Sequence, residues 1–158
     1  MSEDFFKSYV EEHMSIIMHL CRAYARDEES LKDLVQEVTL QLWRSHKSFQ
    51  GNSQLSTWVY RVTLNVCLSH SKRLKRKVET VPLEWRVDSP EQTDPEKEQI
   101  EKLYQGIRKL KESERAIILL YLEDKSYKEM SEILGITVSN VGVKVNRLKE
   151  KLKSIING

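Results

Sequence analysis

SYKEMSEILGITVSNVGVKVNRLKEKL, residues 126–152, decides the fold. Ser126 followed by Glu129 has the spacing of a capping box, in which the hydroxyl takes a first-turn amide and the carboxylate reaches back to the cap. The helix it opens is short, because Gly135 supplies the left-handed residue that ends helices. Thr137 or Ser139 then caps a longer helix whose inner stripe is Val141, Val145, Leu148 and Leu152. Short helix, glycine turn and longer helix make a helix-turn-helix. Away from the stripe the second helix carries Asn140, Lys144, Arg147 and Lys151, with Ser139, Val143 and Asn146 beside them. Amide, guanidinium and ammonium groups on one face suit base edges and phosphates.

Outward from this motif the chain reads as helix almost throughout. Ile100, Leu103, Tyr104, Ile107 and Leu110 keep a helical step after Pro95, and Ser113 is placed to cap a short apolar helix over 116–122. Before them, VPLEWRVDSPEQTDP (81–95) holds all three prolines and many acids with no helical period, so it reads as a linker. Three amphipathic helices precede it. The first, from Phe5 to Arg26, has the stripe Phe6, Val10, Met14, Ile17, Cys21 and Tyr24. In the second, capped by Ser30, the stripe is Leu31, Leu34, Val38 and Leu42, and in the third it is Leu55, Val59, Val62 and Val66. A polar loop, SFQGNSQ (48–54), lies between the second and third, and Phe49 is its one aromatic. Trp58, Arg61, Asn65 and Lys72 form the other side of the third helix, which runs into KRLKRK.

Charge divides along the same lines. Residues 1–54 sum to −3, 55–77 to +6, 78–101 to −6 and 102–158 to +5, for a net +2. Two basic segments around an acidic spacer suggest two contacts with a polyanion and a connector that the polyanion repels. Five glycines and three prolines among 158 residues argue against turn-rich β folds. No apolar run reaches membrane-span length, and MSEDFFK is acidic where a secretory signal would be basic, so a cytoplasmic protein without membrane insertion is expected. Cys21 and Cys67 stand far apart with no ligand spacing and read as reduced thiols packed on helices. The four histidines have no acidic partner at catalytic spacing, and no nucleophile motif, metal spacing or phosphate-cradling loop is present. Neither an enzyme nor a metal or cofactor site is expected.

DLVQEVTLQLW (33–43), the loop and helix from Phe49 to Val62, Asn65, and SYKEMSEILGITVSNV (126–141) together resemble the extracytoplasmic-function sigma factors of the sigma-70 family, the promoter-specificity subunits of bacterial RNA polymerase. The resemblance spans nearly the whole chain. It implies an all-α protein of two small helical domains: a sigma domain 2 helical bundle over 1–77 and a sigma domain 4 helix-turn-helix over 98–158, joined by a flexible acidic linker over 78–97. By the same resemblance Asp33, Gln36 and Glu37 would grip the clamp coiled coil of core RNA polymerase, with the flap as a second contact. Phe49, Asn52 and Ser53 would receive a flipped base of the minus-ten element, a task that needs a pocket and a stacking surface. Trp58, Arg61, Asn65, Lys72 and Arg73 would lie along the promoter fork, and Ser139, Asn140, Val143, Lys144 and Arg147 would enter the major groove of the minus-thirty-five element. It further implies an anti-sigma factor as partner, in a stress or envelope response.

Three departures from the family pattern stand out. Ser69 replaces an Asp, Lys111 a Pro, and Gly142 a basic residue of the recognition helix. The competing reading is a stand-alone helix-turn-helix regulator of duplex DNA, which explains 96–158 but gives the first half no role. With little surface expected between the halves, the linker should leave them mobile.

Overall fold

Ser2, Asp27, Asp94, Ser126 and Thr137 each accept a hydrogen bond from a backbone amide of the turn that follows, and each begins a helix. The computed structural model describes residues 2–49, 54–77 and 94–158. Over these the chain forms seven α-helices and no strand: α1 (Glu3–Arg22), α2 (Glu28–Ser45), α3 (Leu55–Lys77), α4 (Pro95–Arg108), α5 (Glu112–Leu122), α6 (Tyr127–Leu134) and α7 (Val138–Asn157). A single 3-10 turn, His46–Ser48, follows α2. Most of the linker expected over 78–97 lies outside the described residues.

Several helix starts differ from the sequence reading for local reasons. Asp27, not Ser30, caps α2: its Oδ1 accepts the Ser30 amide at 2.8 Å, while the Ser30 hydroxyl accepts the Asp27 amide at 3.1 Å. The reciprocal box is present with its two residues exchanged. Ser113 lies inside α5, which starts behind Lys111 because Glu114 Oε1 holds the Lys111 amide at 3.1 Å. Glu129 accepts the Ser126 hydroxyl at 3.2 Å rather than reaching the cap amide. Gly135 does take the left-handed conformation, φ 71°, that ends α6.

The stripes of α1, α2 and α7 pack much as their periods require, with Met14 partly covered and the rest buried. The third helix does not follow its expected stripe. Val62, Val66 and Leu55 are only half-buried, whereas Tyr60, Thr63, Leu64, Cys67 and Ser71 join Val59 in the interior. The reason is tertiary: α1 and α2 cover one side of α3, and α5 and α6 cover another.

That second cover is a packed seam between the two halves, where the sequence reading expected mobile domains. Tyr24 donates its hydroxyl to the Glu112 carbonyl at 2.6 Å. Arg108 and Arg115, both 5 % exposed, reach the C-terminal end of α1, donating to the carbonyls of Arg22 at 3.1 Å and Ala23 at 3.4 Å. Arg22 in turn pairs with Glu101 at 2.8 Å and lies over the Tyr104 ring. At the rim, Lys75 meets Glu112 and His19 meets Glu123, each at 2.8 Å. Guanidinium groups at the negative end of a helix dipole are favourably placed, and main-chain carbonyls supply the hydrogen bonds that a buried cation requires. A seam this polar gains less from burial than an apolar core, because desolvation offsets much of the attraction.

Candidate nucleic-acid interface

Burial of Val141, Val145, Leu148 and Leu152 against α5 and α6 fixes which side of α7 is left free. That side carries Ser139, Asn140, Val143, Lys144 and Arg147, all exposed, on one continuous face. The face presents a hydroxyl, an amide, an apolar contact surface, an ammonium and a guanidinium, the set from which major-groove readout is built. Lys151 of the same outer stripe is held back by Glu114, at 3.1 Å. Gly142 sits at the flank of this face, and a Cβ there would meet the Tyr127 ring at 3.4 Å. Where the family pattern places a basic residue, the Tyr127 ring therefore occupies the adjoining space.

Some 20 residues later than α2 begins, the chain leaves its 3-10 turn at Phe49, and the Phe49 ring comes to 5.3 Å from that of Trp58 on α3, tilted by 44°. Behind it the Trp43 and His46 rings stack at 4.5 Å with Phe6 edge-on to Trp43, which fixes the exit of α2. Asn52 and Ser53 lie outside the described residues. Arg61, Asn65, Lys72 and Arg73 are all exposed along α3. Arg61 is nevertheless engaged: its Nε donates to the Glu132 carbonyl of α6 at 3.0 Å, and its Nη2 donates to the same oxygen. A guanidinium capping the last turn of a helix is electrostatically favoured.

Asp33, Gln36 and Glu37 project together from the exposed side of α2. Glu37 also pairs with Arg73 of α3 at 2.8 Å, so the acidic face of α2 and the basic face of α3 adjoin. His70 lies half-buried beside this pair. Burial, reinforced by the Arg73 charge, pushes its pKa below the ordinary histidine value and keeps the ring neutral.

The seam residues are those that sequence reasoning missed. Besides Tyr24, Arg108 and Arg115 they include Tyr60, whose ring lies 4.8 Å from the Lys125 ammonium. Little in the sequence marks the two arginines: Arg108 stands beside Lys109 and Arg115 beside Glu114, as solvated charges commonly do. Among the described residues no group of three or more His, Cys, Asp or Glu side chains could hold a metal ion, and no helix is long and apolar enough to cross a membrane.

Comparison with known proteins supports the two-part helical fold. Residues 9–77 match the family described as Sigma-70 region 2, and residues 100–152 match Sigma-70, region 4. The chain is 28% identical to RNA polymerase sigma factor YlaC of Bacillus subtilis (strain 168), over 96% of this chain and 89% of that protein. To RNA polymerase sigma factor SigZ of the same organism it is 30% identical, over 84% and 76%. Its fold is similar to that of the sigma factor RpoE from Bartonella quintana in co-crystals with the anti-sigma factor NepR, with TM-score 0.80 at 19% identity, covering 99% and 98% of the two chains. It is also similar to CnrH in complex with the cytosolic domain of CnrY, with TM-score 0.72 at 19% identity, covering 99% and 90%.

Proposed function

The chain belongs to the extracytoplasmic-function sigma factors of the sigma-70 family, and from that premise we propose how its own residues direct core RNA polymerase to promoters. Residues 1–77 serve as the polymerase-binding and minus-ten domain, 78–97 as the connector, and 98–158 as the minus-thirty-five domain. Asp33, Gln36 and Glu37 face basic groups of the polymerase clamp coiled coil, where exposed carboxylates steer and orient a partner more than they tighten it. Ser139, Asn140, Val143, Lys144 and Arg147 read the upstream element. Phe49 and Trp58, with Asn52 and Ser53, offer an aromatic surface to an unstacked base. Arg61, Asn65, Lys72 and Arg73 follow the backbone of the opening duplex.

The observation that carries this reading is the exposed face 139–147 on α7, held outward by a fully packed inner stripe. In transcription the chain supplies recognition, and polymerase supplies catalysis, in the cytoplasm. Arg61 cannot serve α6 and DNA at once, so promoter engagement requires the seam to part. A partner that holds the seam closed would silence the protein, which is the role we assign to an anti-sigma factor; the RpoE relative was crystallised with one. A free-standing regulator would leave the 33–37 face and the Phe49–Trp58 pair without a task.

The test is Phe49→Ala in a reconstituted holoenzyme. Retention of core binding with reduced permanganate reactivity of minus-ten thymines supports the assignment; wild-type promoter opening overturns it.

A further inference from the structure

Two thiols that stand 46 positions apart in sequence meet inside the first half. Cys67 Sγ of α3 lies 3.9 Å from Cys21 Sγ of α1, and both residues are fully buried. Promoter recognition uses neither. Tyr24, one turn beyond Cys21, has no exposed surface, and its amide donates to the Cys21 carbonyl at 3.0 Å. Its hydroxyl makes the 2.6 Å bond to Glu112 across the seam. The order from the interior outward is therefore thiol pair, tyrosine, second half of the chain.

We propose that Cys21 and Cys67 are an oxidisable dithiol, closed by a hydroperoxide into a disulfide that ties α1 to α3 beneath the seam, at a rate set by how often the seam opens. The chemistry balances with hydrogen peroxide as the two-electron oxidant. One thiol loses its proton, and its sulfur attacks a peroxide oxygen; the O–O bond breaks and hydroxide leaves to become water. The second thiol, deprotonated in turn, attacks the resulting sulfenic sulfur; the S–O bond breaks and a second water leaves as the S–S bond forms.

Geometry makes this a gated reaction. In the docked form burial pushes the Cys67 thiol up, away from the reactive thiolate, and the neighbouring Cys21 adds to the effect. A disulfide needs its sulfurs at about 2.05 Å, so the two must draw together from van der Waals contact. The Cys21 carbonyl accepts the amides of Tyr24 and Ala25, so a shift of Cys21 is passed to Tyr24 and to its bond with Glu112. Opening the seam removes that restraint and admits water and oxidant together.

The inference is independent of the transcriptional role, and its test reads mass rather than transcription. Reduced full-length chain is treated with a series of hydrogen peroxide concentrations, quenched, and alkylated under denaturing conditions. Expected are a loss of two hydrogens, no alkylated cysteine, and a peptide pair joined through residues 21 and 67. The rate should reach a plateau as peroxide rises. Tyr24→Phe, checked for folding by circular dichroism, should raise that plateau about fivefold, the factor carried by one lost hydrogen bond. Free thiols after prolonged oxidation, sulfinic acid without a cross-link, or disulfides only between molecules would overturn the pairing. A rate linear in peroxide and unchanged by Tyr24→Phe would overturn the gate.

Discussion

Replacing Arg115 by Leu is the sharpest probe of how the two halves are held. The Arg115 guanidinium donates to the Leu110 and Arg108 carbonyls, each at 3.0 Å, and to Ala23 at 3.4 Å, and lies 5.4 Å from the Tyr24 ring. The first two bonds close the corner between α4 and α5; the third crosses the seam. A hydrogen bond to a charged group contributes about 1.5–3 kcal/mol, so the two short ones carry about 3–6 kcal/mol between them. Against this stands the desolvation of the guanidinium, visible as a pKa held below the ordinary arginine value by burial. Leucine regains some apolar burial but leaves three carbonyls unserved, and the net loss should be about 3 kcal/mol. Urea unfolding followed by circular dichroism should show a lower midpoint at unchanged slope. Arg115→Lys should recover less than half, since one ammonium cannot span three carbonyls set for a planar fork. A loss under about 1 kcal/mol would refute the claim that this buried cation organises the corner and seam.

Other expectations follow from the exposed faces and the titrating groups. Lys144→Ala and Arg147→Ala should each flatten the logarithmic salt dependence of upstream-element binding by about one unit, measured by fluorescence anisotropy; unchanged slopes would place that face off the DNA. Gly142→Ala should raise stability by up to about 1 kcal/mol through helix propensity, because its Cβ meets the Tyr127 ring only at ordinary contact distance; a fall in melting midpoint would contradict the spacing. Acid should destabilise the fold in two stages. Since the folded His70 resists protonation, the unfolded chain binds more protons as pH falls through about 6.5, and stability drops. Burial alone would raise the pKa values of Glu112 and Glu114, but Lys75 and Lys151, with backbone amides, hold both below the ordinary carboxylate value. Their contribution is present above that value and is lost below it. Melting midpoints that rose on acidification from neutrality would contradict both signs.

The helix-turn-helix was legible in the sequence because everything that makes it is local. Ser126 and Thr137 cap their helices, Gly135 turns the chain, and a step of three or four residues buries Val141 to Leu152. The period placed Asn140, Lys144 and Arg147 on the outer side, and the five residues that the family resemblance assigned to the upstream element lie exposed there on one face. The third helix resisted the same reading because its burial is decided by two neighbours rather than one. Thr63 and Ser71, polar in sequence, are interior, while Val62 and Val66 are only half covered. Cys21 and Cys67 looked isolated since nothing in a linear spacing reports that α1 and α3 lie side by side. The seam was hidden for a related reason: it is built from tyrosine, arginine and main-chain carbonyls, so no apolar patch advertised it. Arg61 shows the consequence, since its charge marked it for DNA while the folded chain gives it a carbonyl of α6.

The most direct measurement is run-off transcription with purified chain and bacterial core polymerase on a library of host promoter fragments, with core alone as control. The account predicts discrete start sites that appear only with the chain and share two upstream elements, the farther one losing occupancy with Arg147→Ala. Duplex binding without any stimulation of core polymerase would contradict it.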